Sequence, residues 1–195
     1  MGREKVENAL PEAYKINLPT KITLLRMLLV PFLLAFLIAP SEVNALMAAL
    51  IFASAALTDW LDGHLARSTK QVTTLSKLLD PIADKILLAA GLIPLVGLGR
   101  VPAWMAALML IREFAVSGLR EIAAAEQVII HASPMAKAKT VLQIIAILLL
   151  ILNYQTWPLS FPTAGLGLLI LSLVLSLVSG VEYYLKCRQG LQYRW

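Results

Sequence analysis

The sequence predicts an all-α, polytopic membrane protein with six transmembrane helices and both termini on the cytoplasmic side. Three observations carry that expectation. Hydrophobic residues make up 59% of the 195-residue chain, above the roughly 45–50% usual in soluble domains. They are gathered into runs long enough to cross a hydrocarbon core of about 30 Å as helices. With the N-terminus placed inside, Arg100 is the only one of the 17 lysines and arginines that falls on the outer side, as the positive-inside tendency requires.

Taken in order, residues 1–18 are largely polar and are read as an N-terminal cytoplasmic or surface segment. The membrane domain runs over 19–186, with predicted spans at 20–39, 43–63, 79–98, 102–124, 138–153 and 163–185. Residues 187–195 form a cytoplasmic tail. The first apolar run has no small-residue cleavage site, so it is read as a span and not as a removable leader. Pro40-Ser41 ends it and caps the second. The stretch Gly97-Leu98-Gly99-Arg100-Val101-Pro102 turns the third span into the fourth, and Pro158 and Pro162 mark the break before the sixth. Proline and glycine punctuate helices because one lacks a donor and the other lacks a stiff backbone. The unbroken apolar runs lack the alternation of barrel strands. A single cysteine, Cys187, permits no internal disulfide. The net charge of +5 is assigned to cytoplasmic loops facing anionic lipid, with no nucleic-acid partner.

All the aspartates of the chain, Asp59, Asp62, Asp80 and Asp84, lie in or beside apolar runs. Asp59 and Asp62 are three residues apart and Asp80 and Asp84 four, so each pair shares a helix face. The polar stretch between them lets the second and third spans turn back on each other and brings both pairs together at the inner surface. Four carboxylates in a low dielectric repel one another and take up protons unless compensated. Two divalent cations offset them, and all-oxygen ligands suit Mg²⁺ or Mn²⁺, not zinc. Two such ions can clamp the oxygens of a reacting phosphoryl centre. The bland alternative makes Lys77, Lys85 and Arg67 simple counter-ions, but ionisable groups in spans are costly and usually functional.

The stretch Asp59-x2-Asp62-Gly63-x2-Ala66-Arg67-x8-Ser76-x3-Asp80-x3-Asp84 resembles the signature of the CDP-alcohol phosphotransferases and departs at one fixed position, where Ser76 replaces a glycine. The flanking segments, Asn17-Leu18-Pro19-Thr20-Lys21-Ile22-Thr23-Leu24-Leu25-Arg26, Ile111-Arg112-Glu113, Gly118-Leu119-Arg120-Glu121 and Lys137-Ala138-Lys139-Thr140-x2-Gln143, are similar to the branch of bacterial phosphatidylglycerophosphate synthases. The resemblance implies transfer of a phosphatidyl group from CDP-diacylglycerol to sn-glycerol 3-phosphate with release of CMP. It implies metal binding by Asp59, Asp62, Asp80 and Asp84, with Asp84 also the general base, and a nucleotide site at Gly63, Ala66, Arg67 and Ser76. It further implies a homodimer in the bacterial inner (plasma) membrane, with the active site facing the cytoplasm.

A dianionic acceptor needs cations, and Arg112, Arg120, Lys137 and Lys139 are the candidates. Arg112 and Arg120 are eight residues apart and share a helix face, and arginine suits bidentate phosphate contact. An ion pair of Arg112 with the adjacent Glu113 is not expected, because neighbours on a helix point apart. His64, His131, Trp60, Trp104, Trp157, Tyr183 and Tyr184 are read as loop, packing or interface residues. Three other readings stay open: a related transferase using inositol phosphate, a membrane prenyltransferase, and a divalent-cation carrier.

Overall fold

A computed structural model describes residues 18–39, 41–69, 74–126, 134–153 and 160–192. Among them the chain forms six α-helices and no strand: α1 Leu18–Ile38, α2 Glu42–Thr69, α3 Thr74–Gly97, α4 Ala103–Ala125, α5 Pro134–Leu152 and α6 Phe161–Gln192. Each predicted apolar segment falls on one of these helices. Two extend well past their segments: α2 continues to Thr69, carrying positions 59–69 on unbroken helix, and α6 runs through the predicted tail boundary to Gln192. The segment proposed for residues 1–18 lies almost wholly outside the described residues.

The helix ends are set by local chemistry the sequence already displayed. Ser41 caps α2: its Oγ accepts from the Asn44 backbone N–H at 3.1 Å, and Glu42 places a negative charge in the first turn, where the helix dipole favours it. α3 ends at a glycine in the left-handed region, Gly99 with φ +68°. The Gly99 N–H bonds to the Val96 carbonyl at 3.0 Å and the Arg100 N–H to the Leu95 carbonyl at 2.9 Å, the paired closure that satisfies the last carbonyls of a helix. Arg100 then donates from one nitrogen to the carbonyls of Leu150 and Ile151, both at 2.9 Å. The one basic residue expected on the outer side therefore caps the C-terminal end of α5, where a cation complements the dipole.

The helices pack as a bundle. α1 lies against both α2 and α3, α5 lies against α6 and α2, and α4 bridges α3 and α6. One apolar core joins these helices, with Leu33, Phe52, Leu92, Met109, Ile147 and Leu169 buried within it. The outer surface is also apolar. Leu28, Ile93, Ile111 and Val181 are each at least 60% exposed, which a soluble protein of this size avoids and a lipid-facing surface requires. Among the described residues, Thr20–Ile38 and Phe161–Gln189 are long and apolar enough to cross a membrane on composition alone. α3 carries Asp80, Asp84 and Lys85 and α4 carries Arg112, Glu113, Arg120 and Glu121, so charge interrupts their apolar runs.

Glycine permits a close approach between α5 and α6. A Cβ at Gly165 would meet Leu150 at 2.8 Å and the Ala146 carbonyl oxygen at 3.1 Å, whereas one at Gly167 meets nothing within 4 Å. Gly165→Ala is therefore expected to lower stability by about 1–3 kcal/mol, the usual cost of overpacking, with Gly167→Ala near neutral. Thermal unfolding of the two variants in detergent checks the contrast.

Candidate active site

The site gathers where α1, α3, α4 and α5 meet at one end of the bundle. Asp80 and Asp84 stand one turn apart on α3, and both are engaged by α1. Thr23 donates its hydroxyl to Asp80 Oδ1 at 2.6 Å. One turn later Arg26 donates from Nη1 to Asp84 Oδ1 at 2.7 Å. The Arg26 side chain is 2% exposed and that of Asp84 51%, so a buried cation holds a carboxylate that still faces outward. The bland alternative offered Lys77, Lys85 and Arg67 as counter-ions; the ion pair seen at Asp84 comes from a residue 58 positions earlier in the chain, and the Lys85 ammonium lies over the Phe114 ring, 5.6 Å from its centre. The side chains of Lys77 and Arg67 lie outside the described residues.

The other aspartate pair is placed by backbone alone. Positions 59 and 62 lie on the last turns of α2 with Gly63, Ala66 and Arg67, and Ser76 lies in the first turn of α3; the side chains of these residues fall outside the described ones. The spacing of 59 and 62 on continuous helix keeps that pair on one face.

The predicted acceptor-binding cations divide into two groups. Arg112 is buried and committed to the scaffold: its Nε donates to the Ser176 carbonyl at 2.6 Å, its Nη2 to Ser179 Oγ at 2.7 Å, and its Nη1 to Glu113 at 3.1 Å. The ion pair with Glu113, dismissed from helix geometry, does form. A long, flexible side chain curls where two Cβ atoms point apart, and burial rewards it for doing so. Gly180 makes room for this approach, because a Cβ there would stand 3.2 Å from Arg112 Nε. Arg120, on the same face as predicted, sits over the Tyr183 ring at 5.9 Å. Lys137 is exposed near the start of α5. Lys139 is 5% exposed and bonds to the same Glu113 oxygen that Arg112 uses, so one carboxylate compensates two buried cations.

Asp84, Lys85, Glu113, Lys139, Thr140 and Gln143 line the polar part of a cavity of about 150 Å³, and Phe52, Leu87, Ile144 and Ile147 line its apolar part. The sequence reading placed Asp84 and Lys139 in the site. It did not single out Thr23, Arg26, Glu113 or Gln143 as site residues, although an arginine inside the first apolar span is costly enough to have marked Arg26. Among the described residues the donor chemistry fits hard divalent cations: Asp80 and Asp84 are oxygen donors one turn apart on α3, and no third potential ligand stands with them.

With the geometry in place, comparison with known proteins identifies its class. A family model for the CDP-alcohol phosphatidyltransferases matches residues 16–178, and the chain belongs to that family. Among its curated relatives, the CDP-diacylglycerol–glycerol-3-phosphate 3-phosphatidyltransferase of Bacillus subtilis (strain 168) is 40% identical over 189 residues, covering 90% of this chain and 97% of the relative. The proteins of the same name from Escherichia coli (strain K12) and Rickettsia bellii (strain RML369-C) are 36% identical over 182 residues and 34% over 174. These alignments cover 91% and 89% of this chain and 98% and 96% of the relatives.

Removing the shared carboxylate leaves two buried cations uncompensated. Glu113→Gln is therefore expected to cost roughly 3–5 kcal/mol, the range for breaking a buried pair. A second change, Lys139→Met, should recover a large part of the loss. Thermal midpoints of the single and double variants provide the readout.

Proposed function

We propose that the chain transfers the phosphatidyl group of CDP-diacylglycerol to sn-glycerol 3-phosphate, forming phosphatidylglycerophosphate and CMP. The observation that carries this reading is that a half-exposed carboxylate, Asp84, and a buried ammonium, Lys139, line one cavity. One is placed to take a proton and the other to attract a phosphorylated acceptor. The relatives named for this reaction support the choice of both substrates.

In this mechanism Asp59, Asp62 and Asp80, with Asp84 shared, would hold two divalent cations, Mg²⁺ or Mn²⁺. Such ions, when bound, neutralise a diphosphate and stabilise the oxygen that leaves with CMP. Gly63 and Ala66 leave space along α2 for the nucleotide, beside Ser76 on α3, and Arg67 pairs with a phosphate or a motif carboxylate. Arg26 orients Asp84, which accepts the proton of the acceptor's primary hydroxyl. That oxygen forms a bond to the phosphorus bearing the diacylglycerol. The bond from this phosphorus to the bridging oxygen breaks, and the electron pair departs with CMP. Lys137, Lys139 and Arg120 attract the acceptor phosphate, and Arg112, its nitrogens already engaged, acts by fixing Glu113 and Lys139.

The same reading makes residues 19–186 a six-span membrane domain with a cytoplasmic tail at 187–195. It places the protein in the bacterial inner (plasma) membrane as a homodimer, with the active site facing the cytoplasm, where glycerol 3-phosphate is supplied. The belt of exposed apolar side chains and the basic residues gathered toward one side support this placement.

The test is CMP release from CDP-diacylglycerol by the purified protein. Release should require glycerol 3-phosphate, stop with EDTA and return with Mg²⁺ or Mn²⁺. Asp84→Asn should lower turnover by about 10²–10⁴-fold, the range for losing a general base. Release driven by inositol phosphate but not by glycerol 3-phosphate would assign the other acceptor. Metal flux without CMP release would defeat the transferase reading.

A further inference from the structure

Gln143 lies on α5 one turn beyond Lys139 and is 5% exposed. It lines the cavity that holds Asp84 and Lys139. Its Nε2 has no hydrogen-bond partner among the described residues. Buried amide donors are nearly always paired, and each exception calls for an explanation. Around it Arg112 bonds to α6 and Glu113, Lys139 to Glu113, and Asp84 to Arg26. Gln143 Nε2 is thus a buried donor on a cavity-lining residue that no described residue satisfies.

The chemistry of its partner follows from position. A phosphate would be drawn to the ammonium of Lys139, and the reacting hydroxyl belongs at Asp84. A neutral amide deeper along the same helix face complements a neutral oxygen. On a phosphorylated polyol such an oxygen is the hydroxyl that neither reacts nor carries phosphate. In glycerol 3-phosphate this is the secondary hydroxyl, which lies between the other two groups.

We propose that Gln143 is a specificity-determining residue whose side-chain amide donates a hydrogen bond to the secondary hydroxyl of the acceptor. This rests on the glycerol 3-phosphate reading above. It makes the enzyme distinguish glycerol 3-phosphate from 3-hydroxypropyl phosphate, which keeps the primary hydroxyl and the phosphate and lacks only the hydroxyl between them.

The experiment compares these two acceptors in CMP release by the wild type, Gln143→Leu and Gln143→Met. The wild type should prefer glycerol 3-phosphate by about ten- to a hundredfold in kcat/KM, the range for one buried hydrogen bond, and chiefly through KM. Both variants should bring the preference close to unity with KM for CDP-diacylglycerol unchanged. Their thermal midpoints should match or exceed that of the wild type, because each removes an unpaired buried donor. The proposal is overturned if the variants keep the preference, if the wild type has none, or if the midpoints fall and both acceptors lose equally, as a purely structural glutamine would cause. A wild type that releases no CMP with glycerol 3-phosphate but does so with inositol phosphate sinks the acceptor reading itself and is told apart by that control.

Discussion

The ion pair between Arg26 and Asp84 ties α1 to the candidate site on α3. An arginine 2% exposed inside an apolar helix is tolerable only if its charge is met, since an unpaired cation in a low dielectric costs several kcal/mol or more. Asp84 meets it, and Thr23 meets Asp80 one turn away. The two contacts repeat with the period of both helices, so α1 and α3 are locked in rotation and in register at the same time. Apolar packing of Leu33 and Leu37 of α1 against neighbouring helices holds them together but would tolerate a slide. The polar pairs do not. α1, which supplies no aspartate, thus fixes where the α3 aspartates stand.

The same electrostatic constraint builds the opposite wall. Arg112 and Lys139 are both nearly buried and converge on Glu113. Arg112 also reaches the Ser176 carbonyl and the Ser179 hydroxyl, which fastens α4 to α6 beside the small residue Gly180. Lys139 is left with a cavity on one side and a shared carboxylate on the other. Because one Glu113 oxygen faces two cations, the cluster keeps a net positive charge in a region shielded from water. Such a site attracts an anion more strongly than the same charges would on an exposed loop. The neighbouring Asp84, drawn to Arg26 on the far wall, is kept from cancelling it.

Much of this was legible in the sequence, and the reasons are local. Ser41 and Gly99 act within one turn of themselves, so the start of α2 and the end of α3 could be read directly, whereas α2 and α6 run past their predicted ends. The aspartate spacing defines two faces wherever the helices pack. What could not be read was partnership across the fold. Arg26 and Asp84 are 58 positions apart, and only the docking of α1 on α3 makes them neighbours. The rule that adjacent helical residues point apart failed for Arg112 and Glu113 because it concerns Cβ directions, while a guanidinium reaches several bonds further. Arg100 was counted as an exception to charge asymmetry, yet its contacts with the carbonyls of Leu150 and Ile151 give it a structural reason to stand where it does.

The cavity also accounts for a division of labour between arginine and lysine in this bundle. Arg112 spends three nitrogens on fixed protein acceptors, Arg100 bridges two carbonyls from one nitrogen, and Arg26 holds Asp84. Their planar forks suit such multiple, rigid contacts. Lys139 presents a compact charge on a flexible stem and makes one strong contact, with Glu113. A lysine can shift between that carboxylate and an incoming anion by rotating its stem, whereas Arg112 would have to break three bonds from two helices to do the same. The arginines are thus tied to fixed acceptors, while Lys139 keeps a single contact beside the cavity.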